Sequence, residues 1–172
     1  LRNALLAMKH QLDTAAYDGQ ALEPLDNRYG APMRSLHGRH ANQLNEIIDE
    51  FGWPSVELVG EEGAFAAWLI AQYASEWPSL QRKFLTSLSG AAARGEVTQR
   101  QLAFLLDRVR FNLGQPQLYG TFLDWTKQGK LGAELEDSAR VDEYRQAVGL
   151  PNFEITCQRQ LAETQLKGGK AP

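Results

Sequence analysis

Apolar residues recur at three- and four-residue steps along most of the chain, a pattern that predicts a succession of helices. Leu1, Leu5, Met8 and Leu12 mark the first, over Arg2 to Tyr17. Leu44, Ile47, Ile48 and Phe51 form one narrow stripe for a second, from about Gly38 to Phe51, with Gly52 placed as its left-handed stop. Trp53-Pro54 then forces an extended path through Val59. Between Glu61 and Ser75 the run Phe65-Ala66-Ala67-Trp68-Leu69-Ile70-Ala71 has no polar break, so this third helix is expected to be apolar all round and buried as a central rod. A fourth opens at Pro78, carries Leu80, Phe84, Leu85, Leu88 and Ala92 on one face, and stops at Gly95.

Thr98 and Gln101 have the spacing of a capping box, with Val97 and Leu102 as its hydrophobic staple, and open a fifth helix that Gly114 ends. Its Leu102, Leu105, Leu106, Val109 and Leu113 share one face while Phe104 and Phe111 lie opposite, which predicts packing from two sides. The helical period is absent from Gln115 to Leu135, where Leu118 to Phe122 and Lys130 to Leu135 are candidates for a short hairpin about Lys127-Gln128-Gly129. Ser138 to Val148 and Asn152 to about Gln165 complete the set, with Gly149-Leu150-Pro151 between them. The expected architecture is an all-α bundle of about seven helices with at most one minor hairpin.

Two stretches break the pattern. Asp18 to Ser35 is polar, holds Pro24, Gly30 and Pro32, and reads as a long surface connection able to cover a site. Residues 167–172 have nothing to bury and read as a flexible tail, leaving 1–166 as a single helical domain. With 43% hydrophobic and 23% charged residues in 172, the composition is that of a folded globular chain. A formal charge of −3 provides no electrostatic footprint for nucleic acid or an anionic membrane. The uncharged run Gly63 to Ser75 is far short of the ~20 residues a membrane span needs. One cysteine, Cys157, points to a reducing compartment, most simply the cytoplasm. Leu1 is not an initiator, so a preceding segment is expected outside this sequence.

No phosphate-binding loop, dinucleotide fingerprint, serine elbow, HExxH or CxxC occurs, so no nucleotide cofactor is expected. Candidate chemistry rests on scattered polar residues. His37 and His40 fall four and seven residues before Leu44, on the stripe that enters the core. Two imidazoles so spaced can converge on a transition metal or act as a general base; the plain alternative is packing in a first helical turn. Gln72 is the strongly polar side chain of the apolar third helix, and pairing with a neighbouring helix is favoured over presentation to a ligand. Asp107 and Arg108 sit on the doubly apolar fifth helix, where a structural ion pair is the commoner outcome and a catalytic pair, or an anion clamp by Arg108, the sharper one. Tyr73, Gln117 and Tyr119 complete the candidate ligand contacts, and Cys157 has no histidine near it in sequence to make it a nucleophile.

Gly52-Trp53-Pro54, Val59-Gly60, Ala66-Ala67-Trp68-Leu69, Gln72-Tyr73-Ala74, Leu106-Asp107-Arg108, Gln117-Leu118-Tyr119-Gly120-Thr121 and Gly149-Leu150-Pro151 occur in that order over roughly residues 40 to 152. The series resembles an uncharacterised bacterial family whose pattern reads GWP, VG, AAWL, QHA, a helical DR pair, QxYGTQ and GLP. Tyr73 stands where that pattern has His, Phe122 where it has Gln, and His37 and His40 where it has Asp and Asn. An N-terminal Asp-Gln-x-x-Arg has no match in Lys9 to Tyr17. The resemblance implies a shared fold and carries no activity with it.

Two functional expectations follow. In the first, a polar pocket between helices two, three and five, lined by His37, His40, Gln72, Asp107, Arg108 and Tyr119, binds a small polar molecule or peptide segment, with or without transforming it. As an enzyme it would use a histidine as base, Arg108 as anion clamp and Gln72 to orient the substrate. In the second, the chain is a non-catalytic interaction module, an adaptor or an inhibitor of immunity type, with Trp53, Trp77 and Trp125 as exposed anchors.

Overall fold

A computed structural model of the chain describes residues 1–17, 31–125 and 131–166. The fold is all-α: seven α-helices among the described residues, with strands confined to one two-residue pair. The chain divides into two compact units, Leu1–Thr98 and Gln99–Pro172.

In the first unit α1 (Arg2–Tyr17) packs on α3 (Val56–Tyr73), and α2 (Ala31–Phe51) packs on α3 and α4 (Pro78–Ala93). A 3-10 turn, Ala74–Glu76, joins α3 to α4. The core is built from Leu5, Met8 and Leu12 of α1, Leu44 and Ile48 of α2, Ala67 and Ile70 of α3, and Phe84 and Leu88 of α4. Each fully buried Leu among them contributes about 2 kcal/mol of transfer free energy. Gly52, Gly95 and Gly114 end helices in the left-handed conformation, as the sequence predicts.

Helix α2 starts at Ala31, not near Gly38, so Ala31 to Ser35 is helix rather than connection. Pro32 is compatible with this because a first-turn residue needs no amide donor. The buried stripe runs Met33, Leu36, His37, His40, Ala41, Leu44, Ile48, and its two histidines conceal it from a count of apolar residues. Helix α3 also starts early, at Val56, with Ser55 as N-cap accepting from the Leu58 amide at 3.4 Å. The extended path after Trp53-Pro54 is therefore only as far as Ser55. One turn later Gly60 takes φ 74°, ψ 167°, a kink that a side chain would strain, and the helix resumes on a new axis. The resumed helix is not buried all round, because Phe65 is exposed.

In the second unit α5 (Gln99–Asn112) has no exposed residue between Gln101 and Asn112. Strand β1 (Asp124–Trp125) pairs antiparallel with β2 (Leu131–Gly132), Asp124 opposite Gly132. The hairpin therefore lies inside the predicted stretch but not on Leu118 to Phe122, which is a loop. Helix α6 (Val141–Ala147) packs on α7 (Phe153–Leu166), and α7 on β2. Asn152 caps α7, its side-chain oxygen accepting from the Glu154 amide at 3.0 Å. No helix among the described residues is long and apolar enough to cross a membrane. The expected covering segment over 18–30, the turn at Lys127-Gln128-Gly129 and the tail 167–172 lie outside the described residues.

Candidate functional site

One turn apart on α2, His37 and His40 are only 4% and 1% exposed. The His37 ring lies nearly parallel to that of Tyr73, the last residue of α3, with centroids 5.0 Å apart and 11° between planes. His40 Nε2 is 2.8 Å from Oε1 of Gln11 on α1. That oxygen accepts, so Nε2 carries the proton and Nδ1 is the lone-pair nitrogen. Nδ1 is buried and meets no hydrogen-bond donor among the described residues. Burial lowers both imidazoles to about 4, helped for His37 by the neighbouring His40 and for His40 by Arg39. Both rings are therefore neutral at neutral pH. A base this weak is poorly matched to proton abstraction near pH 7, whereas a neutral ring nitrogen is a good hydrogen-bond acceptor.

His40 lines a cleft of about 450 Å³ between α1 and α2, together with Ala4, Ala7, Met8, Gln11, Arg39, Gln43, Glu46 and Ile47. This is within the size range of small-molecule sites. A smaller groove of about 240 Å³ between α1 and α3 is lined by Leu6, Lys9, His10, Asp13, Glu62 and Phe65, with Lys9 and Asp13 paired at 2.6 Å. Deeper in the unit, Gln72 is buried with its Nε2 lacking a hydrogen-bond acceptor among the described residues. The helix-to-helix pairing expected of that nitrogen is not made. Gln81 of α4 instead donates to the last carbonyls of α3, to Ala71 at 3.0 Å and Gln72 at 3.3 Å.

The second unit is organised around a loop held from two sides. Asp107 is fully buried, and its carboxylate accepts from the amides of Leu118 (2.8 Å), Tyr119 (3.2 Å) and Thr121 (2.9 Å) and from the Thr121 hydroxyl (3.0 Å). Arg145, 2% exposed, serves the loop's carbonyls: Nη1 donates to Tyr119 at 2.6 Å and Gly120 at 3.2 Å. Its Nε donates to the Pro151 carbonyl and its Nη2 to the Thr156 hydroxyl, both at 2.6 Å. Gln117 closes the loop by exchanging two hydrogen bonds with the Phe122 backbone, at 2.7 and 2.9 Å. Gly120 is required at the crest: its φ is 60°, and a Cβ there would collide with the Phe153 ring and come within 2.9 Å of Leu135. Burial, then the Asp107 charge, raises the Tyr119 phenol above its usual value.

A family model matches residues 1–166. The chain belongs to DUF6624, a family of unknown function. No curated protein and no solved structure matches it.

In this DUF6624 member the residues singled out by sequence fall into both units. His37, His40, Gln72 and Tyr73 belong to the first, and Asp107, Arg108, Gln117 and Tyr119 to the second. His37 is brought to Tyr73 and, by position on one helix face, to His40. No group of three or more His, Cys, Asp or Glu side chains gathers to hold a metal ion among the described residues, and His40 Nε2 is engaged by Gln11. Asp107 and Gln117, expected as a catalytic residue and a ligand contact, direct their side-chain polar atoms to the loop backbone and the Thr121 hydroxyl. Arg108 sets its guanidinium 3.8 Å from the centre of the Phe122 ring. Trp53 is 3% exposed and cannot be a surface anchor, Trp77 is half-buried against Gly38, and the Trp125 side chain lies outside the described residues. Cys157 is buried, and desolvation raises its thiol, in keeping with an unreactive side chain.

Sequence reading missed Gln11 and Arg145. Both carry a signal in retrospect: Gln11 follows Met8 by three residues, and Arg145 is the middle of the Val141, Arg145, Val148 stripe, where a buried charge must be paired.

Proposed function

We propose that the chain binds a small polar molecule in the cleft between α1 and α2, held by a hydrogen bond to neutral His40. The observation that carries this reading is the His40 Nδ1 atom, a buried acceptor without a donor on a residue that lines the cleft. Nδ1 has no open surface, so a ligand N–H or O–H reaches it once a cleft side chain moves aside, and then recovers the roughly 1–3 kcal/mol that leaving such an atom unmet costs. The buried amide of Gln72 and the stacked His37–Tyr73 pair give the same unit a polar interior that is costly without a functional return. Under this reading the protein is bacterial and cytoplasmic, in keeping with a lone buried thiol. The test is a titration of the isotope-labelled chain with a panel of small polar fragments, read by amide chemical shifts. Hits are expected to move resonances of α1 and α2 around Gln11 and His40, and to be lost in His40→Phe while the amide spectrum away from the cleft stays that of the natural chain. A panel that moves no cleft resonance, or hits indifferent to that substitution, defeats the proposal.

The interaction-module reading rests on a different observation. Phe51, Val56 and Leu58, at the turn between α2 and α3, are each about half exposed. A partner protein would cover them, and Leu58→Ser would then abolish its capture without altering fragment binding in the cleft.

A further inference from the structure

The charges on the rim of the α1–α2 cleft narrow what it takes, and this step rests on the cleft reading above. Arg39 and Glu46 line the same cleft on α2. Arg39 donates to the Ser35 hydroxyl at 2.8 Å but meets no carboxylate among the described residues, and Glu46 meets no cation there. Seven residues of helix separate them by about 10.5 Å along the axis. A cleft with one unmatched cation at one end, one unmatched anion at the other and neutral polar groups between them is complementary to a zwitterion of that length.

Three residues of extended chain span about 10 Å. The groups between the charges suit a peptide backbone: His40 Nδ1 accepts an N–H, and the Gln43 and Gln11 carboxamides can meet a peptide C=O or N–H. On the facing helix, Ala4 and Ala7 leave room for small ligand side chains only. A free amino acid is too short to reach both charges, and a capped peptide forfeits one of them. We propose that the cleft binds the free short peptide, about three small residues long, with its ammonium on Glu46 and its carboxylate on Arg39.

The experiment titrates trialanine, N-acetyl-trialanine and trialanine amide into the labelled full chain at pH 7, with Arg39→Gln and Glu46→Gln as variants. Both variants replace exposed side chains and so leave the fold intact. Trialanine is expected to shift the α1 and α2 cleft resonances, and blocking either end is expected to weaken it about 3-fold, as loss of one exposed ion pair does. Glu46→Gln should reduce trialanine to the affinity of its acetylated form and leave the acetylated form unchanged. Arg39→Gln should do the same with the amide. Blocked and free peptides binding alike overturns the zwitterion assignment while the cleft reading stands. If trialanine leaves the cleft unmoved and another polar fragment moves it, the peptide assignment alone falls. If nothing moves it, both fall.

Discussion

Lowering the pH tests the buried histidine pair directly. His37 and His40 are held neutral by burial, with folded values of about 4 against an ordinary 6.5. The unfolded chain therefore binds more protons than the folded one between those limits. The stabilisation is present in full above pH 6.5, declines as pH falls towards 4, and shows no further loss below that. Between pH 7 and pH 5 the linkage relation gives about 1.8 kcal/mol per imidazole, reduced to about 1 kcal/mol where water penetrates the cleft. The pair should thus account for about 2 kcal/mol of acid destabilisation. Urea unfolding at pH 5, 6 and 7, followed by tryptophan fluorescence, measures it. Carboxylates also titrate towards the acid end, so the informative quantity is the difference between the natural chain and His37→Phe/His40→Gln, which keeps an aromatic ring beside Tyr73 and an amide beside Gln11. The double variant should lose about 2 kcal/mol less over the same range. Equal slopes in the two proteins would refute the reasoning, as would a natural chain that gains stability at pH 5.

The loop of the second unit yields three further expectations. Asp107→Asn turns an amide N–H₂ towards donors that need an acceptor, and should cost about 3 kcal/mol in urea unfolding. Arg145→Met keeps most of the side-chain stem but leaves the Tyr119, Gly120 and Pro151 carbonyls without their donor; about 3 kcal/mol is expected, and a loss below ~1 kcal/mol would show that water replaces the guanidinium. Gly120→Ala places a Cβ into the Phe153 ring at a left-handed position, for about 2 kcal/mol or more, whereas Gly114→Ala meets nothing and should cost only the backbone strain. Melting temperatures of the two alanine variants, measured side by side, separate collision from strain.

Local physics made most of the helical order legible. The α1 stripe, the Pro78 start of α4 and the glycine stops depend on periodicity and backbone freedom, which neighbouring residues decide without knowledge of the fold. Where a helix face is built from residues other than hydrocarbons, that legibility ended. The first turn of α2 is hidden because Pro32, Arg34 and Ser35 read as connection, and His37 and His40 interrupt the apolar count that Met33 and Leu36 begin. Trp53-Pro54 predicts extended backbone through Val59, but its constraint ends at Ser55, which caps a short helical turn that Gly60 then kinks onto a new axis.

The candidate site divides in the same way. Sequence alone selected His37, His40, Gln72 and Asp107 as polar residues on buried faces, because helical phase determines which side a residue takes. It could not say which of them had partners. Asp107 is saturated by backbone amides 11 to 14 residues further along, and Arg145 by carbonyls up to 26 residues earlier. Gln11 reaches His40 across 29 residues and leaves one nitrogen unmet. Hydrogen bonding is a matter of ångströms between segments distant in the chain, so only the tertiary fold decides which polar groups are used to hold the structure and which remain for a ligand.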